Sequence, residues 1–317
     1  MEIEKVIDQC LKSSPCEVEI RRNESMKDHT TFKIGGEVDF FIIPKGEGFI
    51  SFCASLLNIT CKEKIPLFIL GGGANIVVSD KGKRGIVLDM GSWKGEYKSA
   101  LSKKEDELIF KSGTSIDEAA DAACAYGLSG LEFLAGMPGT IGGAVWMNAR
   151  CYSSEVADVL SHVEILYREK DEYSIKQIDV KNGAGFGYKK SPFQEMDCLI
   201  ISAAFNFRKG NKEKILAEMN KKREDRQKKG HYLFPSAGSA FKNNHDFGRP
   251  TGQIIDELGL KGLQAGGAQI ASFHGNIVIN TGNATASDIR ALMDEVAAKV
   301  KKETGFILEP EVLFVGD

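Results

Sequence analysis

The chain has 317 residues, of which 42% are hydrophobic and 27% charged, and its formal net charge is -3. Such a chain can bury a good core and form two or three domains, and its charge argues against a general nucleic-acid binder. Seven scattered cysteines without a CxxC pair suit free thiols in a reducing cytoplasm, not a disulfide frame or a zinc or other metal site. The first residues lack the apolar core of a signal peptide, and no apolar run is long enough to span a membrane.

Ile3, Val6, Ile7 and Leu11 recur at near-helical spacing and predict a short amphipathic helix over residues 2–13. Residues 26–36, MKDHTTFKIGG, put polar groups where the strand-like run 38–43 begins, either as a loop entering a sheet or as a site wall. A helix over 46–58, a strand over 66–70, a glycine hinge and a strand over 76–78 make a small α/β unit. Residues 85–90 predict another strand. After the strand-like LIFKSG, Ser115 and Glu118 have the spacing of a capping box for a helix through Tyr126. A long loop over 127–150 follows, rich in glycine. Apolar runs at 162–168 and 199–207 read as strands, and GAGFGYKKSPFQ between them is a candidate binding loop or a basic hairpin tip.

Residues 210–230 carry eight Lys/Arg against four acids, with Ile215, Leu216 and Met219 at helical spacing. That shift marks a solvated helix at a domain boundary. The stretch 235–244, PSAGSAFKNN, is either a turn of small residues or an anchor for a polar substrate. A helix beginning at PTGQIIDELG and a strand over 276–280 come next. The last helix starts at Ser287 and Asp288, buries Ile289, Leu292, Val296 and Val300, and stops at Gly305. The closing stretch FILEPEVLFVG reads as a strand whose alternation places Glu309 and Glu311 on one face.

Two glycine clusters organise the chain. Gly71, Gly72 and Gly73, before Ala74 and Asn75, can turn successive N–H groups toward an anion. Gly136, Gly139, Gly142 and Gly143 form a second close-fitting loop, and two such loops suggest one extended ligand. Neither is Walker A, which needs a Lys and a Ser/Thr after its last glycine, and GMPGTIGG lacks the GxGxxG spacing of a Rossmann domain.

In order along the chain, HTTFKIGG, GGGANIVVSDKG, GMPGTIGGAVWMNA, YKKS, AGSAFKN and LEPEV resemble the UDP-N-acetylenolpyruvoylglucosamine reductase family, in its shorter type II branch. The resemblance implies an α+β fold, with a two-part FAD-binding region of PCMH/vanillyl-alcohol-oxidase type over residues 1–210 (parts 1–80 and 81–210). A substrate-binding α+β domain over 211–317 follows. It implies non-covalent FAD reduced by NADPH, and reduction of the enolpyruvyl group of a UDP-sugar in peptidoglycan synthesis. Ser239 matches the family's proton donor and Glu311 its catalytic glutamate, while Lys189 stands where the family has arginine. Gly71, Gly72, Gly73, Ala74 and Asn75 match the pyrophosphate loop, and Gly136, Pro138, Gly139, Thr140, Gly142, Gly143 and Asn148 the loop near the flavin. Tyr188, Lys242 and Asn243 match substrate contacts. Ala74 in place of Ser, Arg150 and Cys151 in place of small residues, and Asn244 in place of Pro are further departures. The resemblance points to a cytoplasmic enzyme, expected as a monomer, with no nucleic-acid partner. A non-catalytic or retargeted flavin or sugar-nucleotide binder, and a flavin oxidase on the same scaffold, are the alternatives.

Overall fold

Helix α1 (Ile3–Ser13) forms where its apolar spacing predicts, burying Val6, Ile7 and Cys10. The computed structural model describes residues 3–97, 106–181 and 183–316, in two α+β units. The first unit comprises Met1–Arg22, Phe40–Gly72 and Gly85–Arg223; the second comprises Asn23–Asp39, Gly73–Arg84 and Glu224–Asp317. Two segments early in the sequence therefore fold with its C-terminal part.

In the first unit, α1 and α2 (Phe49–Lys62) accompany a sheet of strand order Glu17–Ser25, Glu37–Lys45, Lys83–Asp89, Leu67–Leu70. Phe49, Phe52, Leu56, Ile86 and Leu88 fill one core beside them, and the Phe49 ring stacks on Trp93 with centroids 4.7 Å apart. The strand Glu17–Ser25 was not among the predicted elements. Only Val18 and Ile20 alternate toward the core, and the rest of EVEIRRNES is polar at the sheet edge, so the apolar period is too short to announce a strand.

A second sheet of this unit runs Glu172–Asp179, Leu160–Glu169, Cys198–Asn206, Glu107–Lys111, Glu96–Tyr97, antiparallel throughout. Helix α3 (Ile116–Ala125) starts with the predicted capping box: Glu118 N–H donates to Ser115 Oγ at 3.2 Å and Ser115 N–H to Glu118 Oε2 at 3.1 Å. The glycine loop contains a helix the sequence did not announce. Gly142 and Gly143 lie in the first turn of α4 (Ile141–Trp146), capped by Thr140, because Ile141, Ala144 and Val145 are spaced to bury one face in the core. Helix α5 (Lys212–Lys228) buries Ile215 and Met219, whereas Leu216 is 45% exposed and is no part of the buried stripe.

The second unit holds α6 (Thr251–Glu257), α7 (Ala286–Thr304) and an antiparallel sheet of Gln264–Ala265, Ala268–Ile270 and Val278–Asn280. Ile76–Val78 pairs in parallel with Leu313–Val315. The stripe Ile289, Leu292, Val296 and Val300 packs with Phe32, Ile34, Val77 and Ile254. Helix α7 begins one residue earlier than predicted, at Ala286: Thr285 is its N-cap and Asp288 closes the capping box from the third position. The closing strand is also shorter than predicted. Pro310 has no N–H to donate, so residues 309–311 join their neighbour through the single bridge Phe241–Pro310 and regular pairing starts at Leu313.

Candidate active site

The two glycine clusters meet within the first unit. A Cβ on Gly72 would stand 2.7 Å from Gly139 Cα, and one on Gly71 would stand 2.7 Å from Thr140 Oγ1, so only glycine lets these backbones approach. Ile116 N–H donates to Gly139 O at 3.1 Å, and Thr140 Oγ1 accepts from Gly143 N–H at 3.4 Å, which fixes the turn leading into α4. Among the described residues, the N–H groups of Gly71, Gly72, Gly139 and Thr140 have no protein acceptor. Four backbone donors gathered on two touching loops are the donor set that a pyrophosphate requires, so this cradle fits a dinucleotide cofactor such as FAD. Gly136 N–H donates instead to Asp117 Oδ1 at 2.8 Å, and Pro138 is exposed.

Asn148 is fully buried in a left-handed conformation, with φ 44°. Its Nδ2 donates to Gly187 O at 2.8 Å and its Oδ1 accepts from Ala157 N–H at 3.1 Å. The carboxamide thus ties Ala157 to the tight turn that presents Tyr188 and Lys189. Gln194 Nε2 donates to Lys189 O at 3.1 Å and Ser191 Oγ to Trp146 O at 2.7 Å, tying the same turn to the end of α4. Lys189 has φ 56°, and the Arg150 guanidinium lies 5.8 Å from the Tyr188 ring centroid. Two cations and an aromatic ring share this corner.

In the second unit, Ser239, Lys242 and Glu311 stand on neighbouring extended segments. Ser239 bridges to Ile277 on one side and Phe241 to Pro310 on the other. Glu311 N–H donates to Ala240 O at 2.8 Å, and Lys242 N–H to Glu309 O at 2.9 Å. Asn276, 2% exposed, locks the middle segment. Its Oδ1 accepts from Phe241 N–H at 3.0 Å and its Nδ2 donates to Phe241 O at 2.7 Å. The two glutamates do not share one environment as alternation predicts. Glu311 is buried at 8% exposure, while the Glu309 carboxylate is largely in solvent and takes Lys242 Nζ at 3.4 Å. Asn243 Oδ1 accepts from Thr251 N–H at 2.9 Å and so holds the start of α6. On the glycine side, Gly73 O accepts from Thr31 N–H at 3.1 Å, and Ala74 is half-buried next to it.

A cavity of about 330 Å³ opens beside Ser239, lined also by Asn243, Gln253, Asp256, Lys261 and His274. Gln253, His274 and Asn276 escaped the sequence reading, although the turn SFHGN ahead of a strand was a signal. His274 accepts from Asn276 N–H through Nδ1 at 3.1 Å, and burial pushes its pKa down. The neighbouring His231 ring is 6.3 Å away, with its pKa lowered to about 4 by burial first and by Arg226 next. Among the described residues no group of His, Cys, Asp and Glu is placed to hold a metal, and no helix is long and apolar enough to cross a membrane.

Residues 51–170 match the FAD binding domain family, in agreement with the anion cradle of backbone donors in the first unit. This is the class of FAD-dependent oxidoreductases. Residues 228–315 match the family described as UDP-N-acetylenolpyruvoylglucosamine reductase, C-terminal domain. The UDP-N-acetylenolpyruvoylglucosamine reductase of Borrelia garinii subsp. bavariensis is 41% identical over 295 residues, 93% of each chain. That of Treponema denticola is 40% identical over 304 residues, 92% of each chain. The crystal structure of UDP-N-acetylenolpyruvylglucosamine reductase (MurB) from Thermus caldophilus is similar with a TM-score of 0.72 and 30% identity, over 95% of this chain and 99% of that one. The chain belongs to the UDP-N-acetylenolpyruvoylglucosamine reductase family.

Proposed function

We propose that the chain catalyses the NADPH-dependent reduction of UDP-N-acetylglucosamine enolpyruvate to UDP-N-acetylmuramate, a step of peptidoglycan synthesis. The observation that carries this reading is the pairing of the Ser239 and Glu311 segments, through Glu311 N–H and Ala240 O at 2.8 Å, in a chain of this family. FAD, when bound, would supply the hydride transfer between NADPH and C3 of the enolpyruvyl group.

The chain's own residues do the rest. Gly71, Gly72, Gly139 and Thr140 hold the cofactor pyrophosphate through backbone N–H groups, and Gly73, Ala74, Asn75, Gly136, Pro138, Gly142, Gly143 and Asn148 complete its surroundings. Ser239 Oγ gives a proton to C2 of the substrate, a weak acid that needs a cationic or hydrogen-bonding neighbour to make donation feasible. The Glu311 carboxyl helps to stabilise or protonate the anion, and Lys189 balances its charge as a point charge without the guanidinium fork. Tyr188, Lys242 and Asn243 contact the UDP-sugar. Residues 1–210 form the FAD-binding region, with Tyr188 and Lys189 serving the substrate, and 211–317 form the substrate-binding domain, in a monomer working in the cytoplasm, where seven unpaired cysteines are at home.

Anaerobic stopped-flow tests the reading. NADPH should bleach the flavin, and the enolpyruvyl substrate should then restore its oxidised spectrum. Bleaching without restoration would favour a retargeted flavoprotein, and size-exclusion chromatography measures the monomer directly.

A further inference from the structure

Glu311 is buried at 8% exposure on a segment too short and too proline-limited to be fixed by a regular ladder, so something else must set where its carboxyl points. Its peptide is held on both sides. On the amide side Glu311 N–H donates to Ala240 O at 2.8 Å. On the carbonyl side Asn75 Nδ2 donates to Glu311 O at 3.0 Å, across 236 residues of sequence. Asn75 adds a second bond to the same segment, its own carbonyl accepting from Leu313 N–H at 3.0 Å, and the parallel register Ile76–Leu313 begins one residue later. Asn75 is therefore a two-point clamp, side chain on Glu311 and main chain on Leu313.

The geometry points to Asn75 as a positioning residue for Glu311: the last residue of the glycine loop acts on the substrate half of the reaction, not chiefly as a contact of the cofactor. This inference rests on the reading that Glu311 takes part in the reaction. The physical case is direct. Removing the carboxamide takes this donor away from the Glu311 carbonyl and loosens the peptide, and a carboxyl displaced by a fraction of an ångström loses proton-transfer geometry. Replacing the donor by the carboxylate of Asp sets two acceptors against each other with almost no change in shape.

The test uses the full FAD-loaded chain carrying Asn75→Ala, Asn75→Asp or Glu311→Gln. Four quantities are read: FAD affinity by fluorescence quenching, melting temperature, flavin reduction by NADPH, and flavin reoxidation by the enolpyruvyl substrate. Read at saturating FAD, Asn75→Ala and Asn75→Asp should slow reoxidation about thirtyfold to hundredfold, while reduction by NADPH changes by less than the tenfold step of about 1.4 kcal/mol. Asn75→Asp should also recover part of its reoxidation rate as the pH falls toward 5, because a protonated carboxyl regains a donor; Asn75→Ala should gain no such limb. A mere loss of folding would depress melting temperature and both half-reactions together, and that pattern in Asn75→Asp overturns the inference. So does a variant whose only defect is weaker FAD binding, with normal reoxidation once saturated. If Glu311→Gln itself reoxidises normally, the underlying assignment of Glu311 has failed; if Glu311→Gln is slow and both Asn75 variants are normal, the clamp has failed.

Discussion

The glycine cradle of the first unit and the Ser239–Glu311 segments of the second are made specific by opposite means. At the cradle the backbone itself is the binding group, and the sequence works by leaving atoms out: Gly72 faces Gly139 so closely that a single Cβ would collide. At the Ser239–Glu311 segments, where the proposed function has side chains do the chemistry, the sequence works by adding atoms that fix them, through the Asn276 carboxamide on Phe241 and the Asn75 carboxamide on Glu311. One region should fail on gaining a methyl group and the other on losing an amide or acid. Their failures should also fall in different half-reactions.

The largest effect is expected at Glu311. Glu311→Gln keeps the shape and removes the acid, so substrate-driven reoxidation should fall by about a hundredfold to ten-thousandfold, the usual range for a positioned acid or base. Flavin reduction by NADPH and FAD affinity should be unchanged. If both half-reactions fell equally in rapid-reaction traces, the contrast between the two regions would be lost. Next comes Gly72→Ala. Its Cβ must push Gly139 aside at a cost of about 1–3 kcal/mol, which corresponds to a fall in FAD affinity of about tenfold to hundredfold, read by fluorescence titration. Reoxidation at saturating FAD should stay close to normal. A smaller effect is expected at Lys189, where a half-buried point charge contributes about 1–1.5 kcal/mol, so Lys189→Ala should slow reoxidation about tenfold. Lys189→Arg should keep the charge and restore the rate. Near-normal turnover of Lys189→Ala would remove this residue from the reaction.

These contrasts also explain what the sequence could and could not tell. The capping box at Ser115 and Glu118, and the buried stripe of α7, are local patterns: the groups that interact are three or four residues apart, so spacing announces them. Ser239 and Glu311 were legible through short motifs. The clamps were not, because Asn276 and Asn148 find their partners 35 and 39 residues away and Asn75 finds its partner 236 residues away, and a long-range hydrogen bond leaves no local period. For the same reason the protein bonds of the Asn75 and Asn148 carboxamides could not be read from their place beside the glycines. Helix α4 was hidden by its own composition. Gly142 and Gly143 weaken any helical signal, and only the Thr140 cap and the burial of Ile141, Ala144 and Val145 in the tertiary core make the turn form.

The smallest predicted effect separates the two units by pH. His231 is half-buried with a pKa lowered to about 4, by burial first and then by Arg226, His274 and Lys229, with Asp225 opposing. An unfolded chain returns this ring to about 6.5. Above pH 6.5 it is neutral in both states and does not affect stability. As pH falls from 6.5 toward 4 the unfolded chain binds a proton that the folded ring refuses, so stability declines through this window and levels off below it. With allowance for solvent screening at a half-exposed ring, the loss at pH 4.5 should be about 1–2 kcal/mol. Urea unfolding of the FAD-loaded protein at pH 7 and pH 4.5 measures it, with His231→Gln as the comparison. The variant should lose less stability than the parent over that interval, and Trp93, which lies in the first unit, should report little of the difference in its fluorescence. Equal losses in parent and variant would mean that the ring is as easily protonated in the folded protein as in the unfolded chain, and would assign the acid sensitivity to other groups.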